Sequence, residues 1–222
     1  MSKITWSHSA LKDYEGCARR YHEVKVLKNY TFQDTQATLY GKEFHDAAEH
    51  YIKSDKPLPA HFEFLKDTLD ALKAKTGRKL CEYEMGVTED LRPCDFNDDN
   101  RWVRGIADLI IIDDDNLTAR VVDYKTGNNK YPDRDQLTLM SLMVFTHFPH
   151  IRRVTSALLF VLKNDMVKSS MLVGEAPDAW ADYRERVARI EKAHETNVWN
   201  PKPTPLCGWC SVKTCEYNTK RN

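Results

Sequence analysis

Two aspartates and a lysine fall where neighbouring strands would bring them together. Asp108 interrupts the apolar run from Ile106 to Ile112, and Asp123 and Lys125 close the extended stretch that begins at Leu117. Between the two stretches, Asp113-Asp114-Asp115-Asn116 is a turn signal, which predicts an antiparallel hairpin. With Asp115 and Asn116 at the turn centre, facing positions sum to 231 (115 + 116), and Asp108 faces Asp123. Opposed residues have Cβ atoms about 4.5–5.5 Å apart, close enough for two carboxylates to share one cation. Alternation along the strand adds Lys125 to the face of Asp123.

Like charges set directly opposite destabilise a sheet, and burying them costs several kcal/mol unless something compensates. A divalent cation is the natural compensator. Mg²⁺ or Mn²⁺ takes carboxylate oxygens, keeps open water positions, and can polarise a phosphoryl oxygen while acidifying a bound water. Lys125 could hold an attacking water or stabilise charge developing on the phosphorus centre. The bland alternative is a register shifted by one residue, with Asp108 in solvent and Asp123 and Lys125 as a surface pair.

The elements that must position these groups are legible around them. The 222 residues are 41% hydrophobic with five Trp, eight Phe and ten Tyr, enough for a real core, and one domain is the expectation at this length. No stretch approaches the roughly 18 apolar residues of a membrane span. The N-terminus, MSKITWSHSALKDYEGC, lacks a secretory signal's apolar core, which implies a cytoplasmic, reducing location where disulfides are disfavoured. Net charge is zero, 33 basic against 33 acidic residues, so there is no global electrostatic case for a nucleic-acid partner. The distribution is uneven: residues 1–30 carry six Lys or Arg against three acids, 201–222 four against one, and 89–115 nine acids against three Arg. Separate basic and acidic zones suit a protein that collects both phosphates and cations.

Helical spacing predicts a first helix capped by Ser7 and running to Cys17, a second from about Asp34 to Ile52 with Leu39, Phe44, Ala48 and Ile52 on one face, and a third from about Ala60 to Lys75. Strands follow at 81–87, 102–112 and 117–125, the middle one apolar on both faces and so central in its sheet. A helix opening at Pro132-Asp133, strands at 154–162 and 166–172, and a charged helix from Pro177 to about Val198 complete the pattern. Glu82 and Glu84 share one face of the first strand, as further acids for a metal or as an exposed edge. Gly41 and His45 lie one helical turn apart, and a lone histidine there is more often structural. Asp133-x-x-Gln136 reads as a capping box. Cys207-x₂-Cys210-x₄-Cys215 is thiolate spacing for a metal, one ligand short of four. Cys81 and Cys94 stand apart from it.

In this order the residues resemble the RecB-like branch of the PD-(D/E)XK nucleases, and in particular its iron–sulfur exonucleases, similar to CRISPR-associated and AddB-like nucleases. Gly105-Ile106-Ala107-Asp108 and Val122-Asp123-Tyr124-Lys125-Thr126-Gly127 look like the paired motifs, Gly41-Lys42-Glu43-Phe44-His45 like the upstream glycine-to-histidine motif, and Gln136 like the glutamine of the helical motif. Ser7, Ser9, Leu11, Tyr14, Cys17 and Tyr21 match the N-terminal signature, so the resemblance spans almost the whole chain. Two positions depart from it: Met140 stands where an aromatic residue is usual, and Ala18 where proline is common.

The resemblance implies an α/β, restriction-endonuclease-like mixed sheet flanked by helices, a single nuclease domain over 1–222, with 1–30 and 199–222 forming a four-cysteine staple around a 31–198 core. It implies Mg²⁺ or Mn²⁺ on His45, Asp108, Asp123 and the carbonyl of Tyr124, catalysis by Asp108, Asp123, Lys125 and Gln136, and a [4Fe-4S] cluster on Cys17, Cys207, Cys210 and Cys215, with structural zinc the competitor by spacing. The implied substrate is DNA, single-stranded or with single-stranded ends. The chain carries no phosphate-binding loop, so a helicase or recombination protein would be a separate partner. A nucleic-acid-binding module with an inactive site is the alternative, and the cysteines alone would also suit a redox sensor.

Overall fold

The computed structural model describes residues 4–31, 33–127, 130–163 and 165–219. The chain forms two compact units, Asp34–Trp180, and Met1–Gln33 together with Ala181–Asn222.

The unit Asp34–Trp180 is a six-stranded sheet between helices. Helix α3 (Gln36–Ser54) starts at a capping box in which Thr35 and Thr38 satisfy each other's backbone N–H. A tight helical segment, Ala60–Leu65, leads into α4 (Lys66–Lys73), so the expected third helix begins as a 3₁₀ turn. Strands β1 (Arg78–Thr88), β2 (Pro93–Cys94), β3 (Arg101–Asp113) and β4 (Thr118–Lys125) precede α5 (Arg134–His147), and β5 (Arg153–Phe160) and β6 (Asp165–Leu172) follow. Sheet order is β2-β1-β3-β4-β5-β6. All neighbours are antiparallel except β4 and β5, whose parallel pairing requires the crossover that α5 provides. The sheet is therefore mixed, as expected.

Each sheet face has its own core. On one side Phe44, Ala48, Phe62, Leu65 and Leu69 pack on Leu109, Ile111, Val122, Tyr124 and Leu159. On the other, Leu137 of α5 meets Leu158 and Phe160. Strand β3 is covered on both faces from Leu109 to Ile112, each fully buried. Ile106, expected to share that burial, is 40% exposed, and Leu39 is 53% exposed rather than on the buried face of α3.

Hairpin register follows the turn: Leu109↔Val122, Ile110↔Val121, Ile111↔Arg120, Ile112↔Ala119 and Asp113↔Thr118 all sum to 231. The β3–β4 ladder stops at Leu109 and Val122, whereas β1–β3 pairing continues to Thr88↔Arg101 and β4–β5 pairing to Lys125↔Phe160. The sheet forks at Asp108.

In the other unit, α1 (His8–Gly16) is capped by Ser7, whose hydroxyl accepts from the Ala10 N–H, and ends at Cys17. Helix α2 (Ala18–Tyr21) widens into a π-helical turn, His22–Val26. Helix α6 (Ala176–Thr196) contributes its residues from Ala181 onward. There Trp6 stacks on Tyr183 at 5.5 Å, Arg186 grips Glu15 through two bonds of 2.7 and 2.8 Å, and the Tyr14 hydroxyl donates to the Arg189 carbonyl at 2.9 Å.

Gly77 turns the chain into β1 with φ +120°, and a Cβ there would lie 2.5 Å from the Ile112 carbonyl oxygen. Gly77→Ala should therefore cost about 1–3 kcal/mol and lower Tm by roughly 3–10 °C. Gly174→Ala, where a Cβ meets nothing within 4 Å, should leave Tm unchanged in the same thermal melts.

Candidate metal centre

Four elements deliver charged groups to the fork. Helix α3 brings His45. The missing side chain of Gly41, one turn earlier, is what allows the approach: a Cβ there would sit 3.2 Å from the Thr126 hydroxyl, just beyond β4. His45 Nδ1 lies 3.4 Å from Asp108 Oδ1 and 3.6 Å from Glu82 Oε1. Ligand atoms of His45, Glu82 and Asp108 all fall within 4.8 Å of one another, and among the described residues this is the group of three or more able to hold a metal ion.

Glu82 reaches the group through unusual backbone. Cys81 pairs with Leu109 and Tyr83 with Ala107, which sets Glu82 across from Asp108, and Glu82 has φ 46°, in the left-handed region. Both strands change face here. Cys81 and Leu109 pack in the α3-side core, while Tyr83 lies against His147 and Phe148, and Gly105 against Met140 and Met143 of α5. The register does not slip across the change. A left-handed non-glycine residue costs about 1–3 kcal/mol and persists only where surroundings impose it, a pattern typical of functional sites.

Asp108 is 9% exposed and does two things at once. Oδ1 faces His45, and Oδ2 accepts the Tyr124 backbone N–H at 2.6 Å, a donor the ended ladder would otherwise leave bare. Asp123 is 6% exposed. Gln136 donates its amide to Oδ1, and Lys125 Nζ stands 2.5 Å from Oδ2 as an ion pair. Asp133 makes no side-chain cap bond, so the capping-box use of Gln136 gives way to Asp123. The Tyr124 ring is buried against Phe44 and His45 at 5.4 and 5.8 Å. Glu84, the other acid of β1, is exposed.

The electrostatics show a site short of positive charge. Burial, and next Asp108, push the Asp123 carboxyl up to about 6, against the pull of Lys125 and His45. Burial disfavours a charged His45, yet hydrogen bonds and charge from Asp108 and Glu82 outweigh it and raise the imidazole to about 10. Among the described residues, these three acids thus pair with two cations, His45 and Lys125.

Cys17, Cys207, Cys210 and Cys215 belong to the other unit. They line one cavity of about 700 Å³, with Arg19, Arg20 and Trp209 also in its wall. The backbone N–H groups of Lys202 and Thr204 point at the sulfurs of Cys17 and Cys207, at 3.4 and 3.3 Å. No three of the thiols close to within 4.8 Å, so the expected four-cysteine joint is a shared cavity and not a tight knot. Cys81 and Cys94 lie elsewhere, on β1 and β2.

The family model of the PD-(D/E)XK nuclease superfamily matches residues 5–215, and the chain belongs to that superfamily. A solved protein from Eubacterium rectale described as "Putative exonuclease" is similar in fold, with TM-score 0.56 and 15% identity over 94% of this chain and 88% of that one. The structure of SSO0001 aligns with TM-score 0.45 and 13% identity over 96% of this chain and 87% of its own. A search of curated proteins finds no match. No helix among the described residues is long and apolar enough to cross a membrane.

Sequence reasoning placed Asp108, Asp123, Lys125, His45 and Gln136 together, and the structure brings them together. It left Glu82 out of the ligand set, because a left-handed residue inside a strand leaves no mark in strand periodicity. The geometry also separates the two aspartates in metal-free stability. Asp108→Ala strands the buried Tyr124 N–H, at about 1–3 kcal/mol or several degrees of Tm. Asp123→Asn removes a carboxylate whose charge the fold disfavours, so at pH 7–8 its Tm without metal should hold or rise. Melts in chelator showing the reverse order would contradict this geometry.

Proposed function

We propose that the protein is a divalent-metal-dependent deoxyribonuclease, acting as an exonuclease on DNA that is single-stranded or has single-stranded ends. The observation that carries this is the surplus of buried acid at the fork, set beside one lysine in a chain of this superfamily. His45, Glu82, Asp108 and Asp123, with the Tyr124 carbonyl, are the residues that would hold one or two Mg²⁺ or Mn²⁺ ions. A bound ion supplies Lewis acidity toward a phosphoryl oxygen and lowers the pKa of a water. Lys125 orients the attacking water and stabilises negative charge building on the phosphoryl oxygens. Gln136 fixes the Asp123 carboxylate so that its second oxygen faces Lys125. An inactive relative that only binds nucleic acid would have no need of this full set.

Asp108→Ala, Asp123→Ala and Lys125→Ala should each reduce cleavage of a labelled oligonucleotide by at least about a hundredfold while remaining folded. The substrate test is digestion of end-labelled linear and circular single- and double-stranded DNA with Mn²⁺. Release of nucleotides from linear strands with circles intact supports an exonuclease, cut circles would make it an endonuclease, and no cleavage of any DNA would refute the reading. Such an activity fits replication, recombination or repair, alongside a separate helicase or recombination protein.

For the four cysteines we infer a [4Fe-4S] cluster, as the resemblance to iron–sulfur exonucleases implies, with structural zinc the alternative. The two N–H groups aimed at the sulfurs of Cys17 and Cys207 are the kind of bond that tunes cluster thiolates. Protein purified without oxygen should be brown and contain iron and sulfide, and Cys17→Ala should lose both colour and thermal stability. Stoichiometric zinc without iron would reverse this assignment and leave the nuclease reading standing.

A further inference from the structure

We propose that Tyr131 is a positioning residue that stacks on an unpaired base of the substrate strand and so helps to hold that strand at the metal centre. The proposal rests on the nuclease reading above. Tyr131 is 82% exposed, the highest value among the exposed large apolar and aromatic side chains of the described residues. A single exposed ring means little by itself. Its place in the chain gives it meaning. It lies on the segment that joins β4 to α5, and both ends of that segment bind the same carboxylate: Lys125 pairs with Asp123, and Gln136 donates to it. Tyr131 is five residues from Gln136 and six from Lys125, so its Cα stays within about 18 Å of the Gln136 Cα.

The surroundings carry the chemistry that an unpaired nucleotide needs. Lys130 Nζ stands 5.3 Å from the Tyr131 ring centroid, which sets a cation beside the aromatic face. Two further apolar side chains reach solvent close to the acids in the chain. Ile106, 40% exposed, precedes Asp108 by two residues, and Leu162, 47% exposed, follows Phe160, which pairs with Lys125. Exposed apolar surface next to a buried acidic centre does not match a duplex, whose base faces are hidden and whose outer surface is phosphate. It matches a strand whose bases are unstacked, since every base has a face that an aromatic ring can cover and a phosphate that a cation can hold.

The test compares Tyr131→Ala, Tyr131→Phe and the wild-type full chain on a single-stranded oligonucleotide carrying 2-aminopurine near its end. The readouts are Kd by anisotropy in chelator, steady-state KM and kcat with Mn²⁺, and quenching of the 2-aminopurine by stacking. Loss of one base stack should raise Kd and KM by about 5- to 100-fold for Tyr131→Ala, with kcat within about threefold of wild type and quenching reduced. Tyr131→Phe, which keeps the ring and loses the hydroxyl, should behave as wild type. Unchanged Kd and quenching in Tyr131→Ala, in a wild type that cleaves DNA, would overturn the stacking role alone, as would a Tyr131→Phe variant as weak as Tyr131→Ala. A wild type with no affinity for DNA would remove the nuclease reading and this role with it.

Discussion

The hydrogen bond from the Tyr124 backbone N–H to the Asp108 carboxylate stands where β3 and β4 part, and the site is built around it. It takes the place of a ladder bond, so the sheet can open without leaving a buried donor bare. It also fixes the direction of Asp108, leaving Oδ1 for His45 and the metal side. The opening in turn admits the first turns of α3, because Gly41 offers no side chain against Thr126. One carboxylate thus ends a ladder, caps a strand and faces His45.

Charge is the constraint that this arrangement does not resolve internally. Among the described residues Asp108, Asp123 and Glu82 pair with His45 and Lys125, and Asp123 is driven toward its protonated form by burial and by Asp108. A core of this kind is costly unless a counterion completes it. Glu82 adds to the cost by holding a left-handed backbone. Strain and surplus negative charge therefore meet at the same point of the sheet.

Much of this was legible in the sequence, for identifiable reasons. Hairpin register followed from the Asp115-Asn116 turn, and the one-residue shift that would have put Asp108 in solvent is not what forms. The pairing of Gly41 with His45 follows from helical spacing, and the approach of Thr126 gives it a cause. Met140, in a position where an aromatic residue is usual in the resembled family, is explained by packing: its methyl group and the Met143 sulfur fill the space above Gly105. Other features depend on tertiary context that periodicity does not carry. The face change at Glu82 and Asp108 is one, since apolar alternation looks the same on either side of it. Exposure of Ile106 is another, because β4 no longer covers β3 beyond Leu109. The amide of Gln136 had two chemically sound uses, and only the position of Asp123 relative to α5 decided between them.

The most direct measurement of the central claim is calorimetric titration of Mn²⁺ into the chelator-treated, desalted protein, with Asp108→Asn and Glu82→Gln variants beside it. The account predicts saturable binding in the wild type, with one or two ions per chain. It predicts strong loss of affinity in Asp108→Asn, which keeps an acceptor for the Tyr124 N–H but gives up the charge, and a smaller loss in Glu82→Gln. Wild-type protein that binds no Mn²⁺, or an Asp108→Asn variant that binds it as tightly as wild type, would contradict the account.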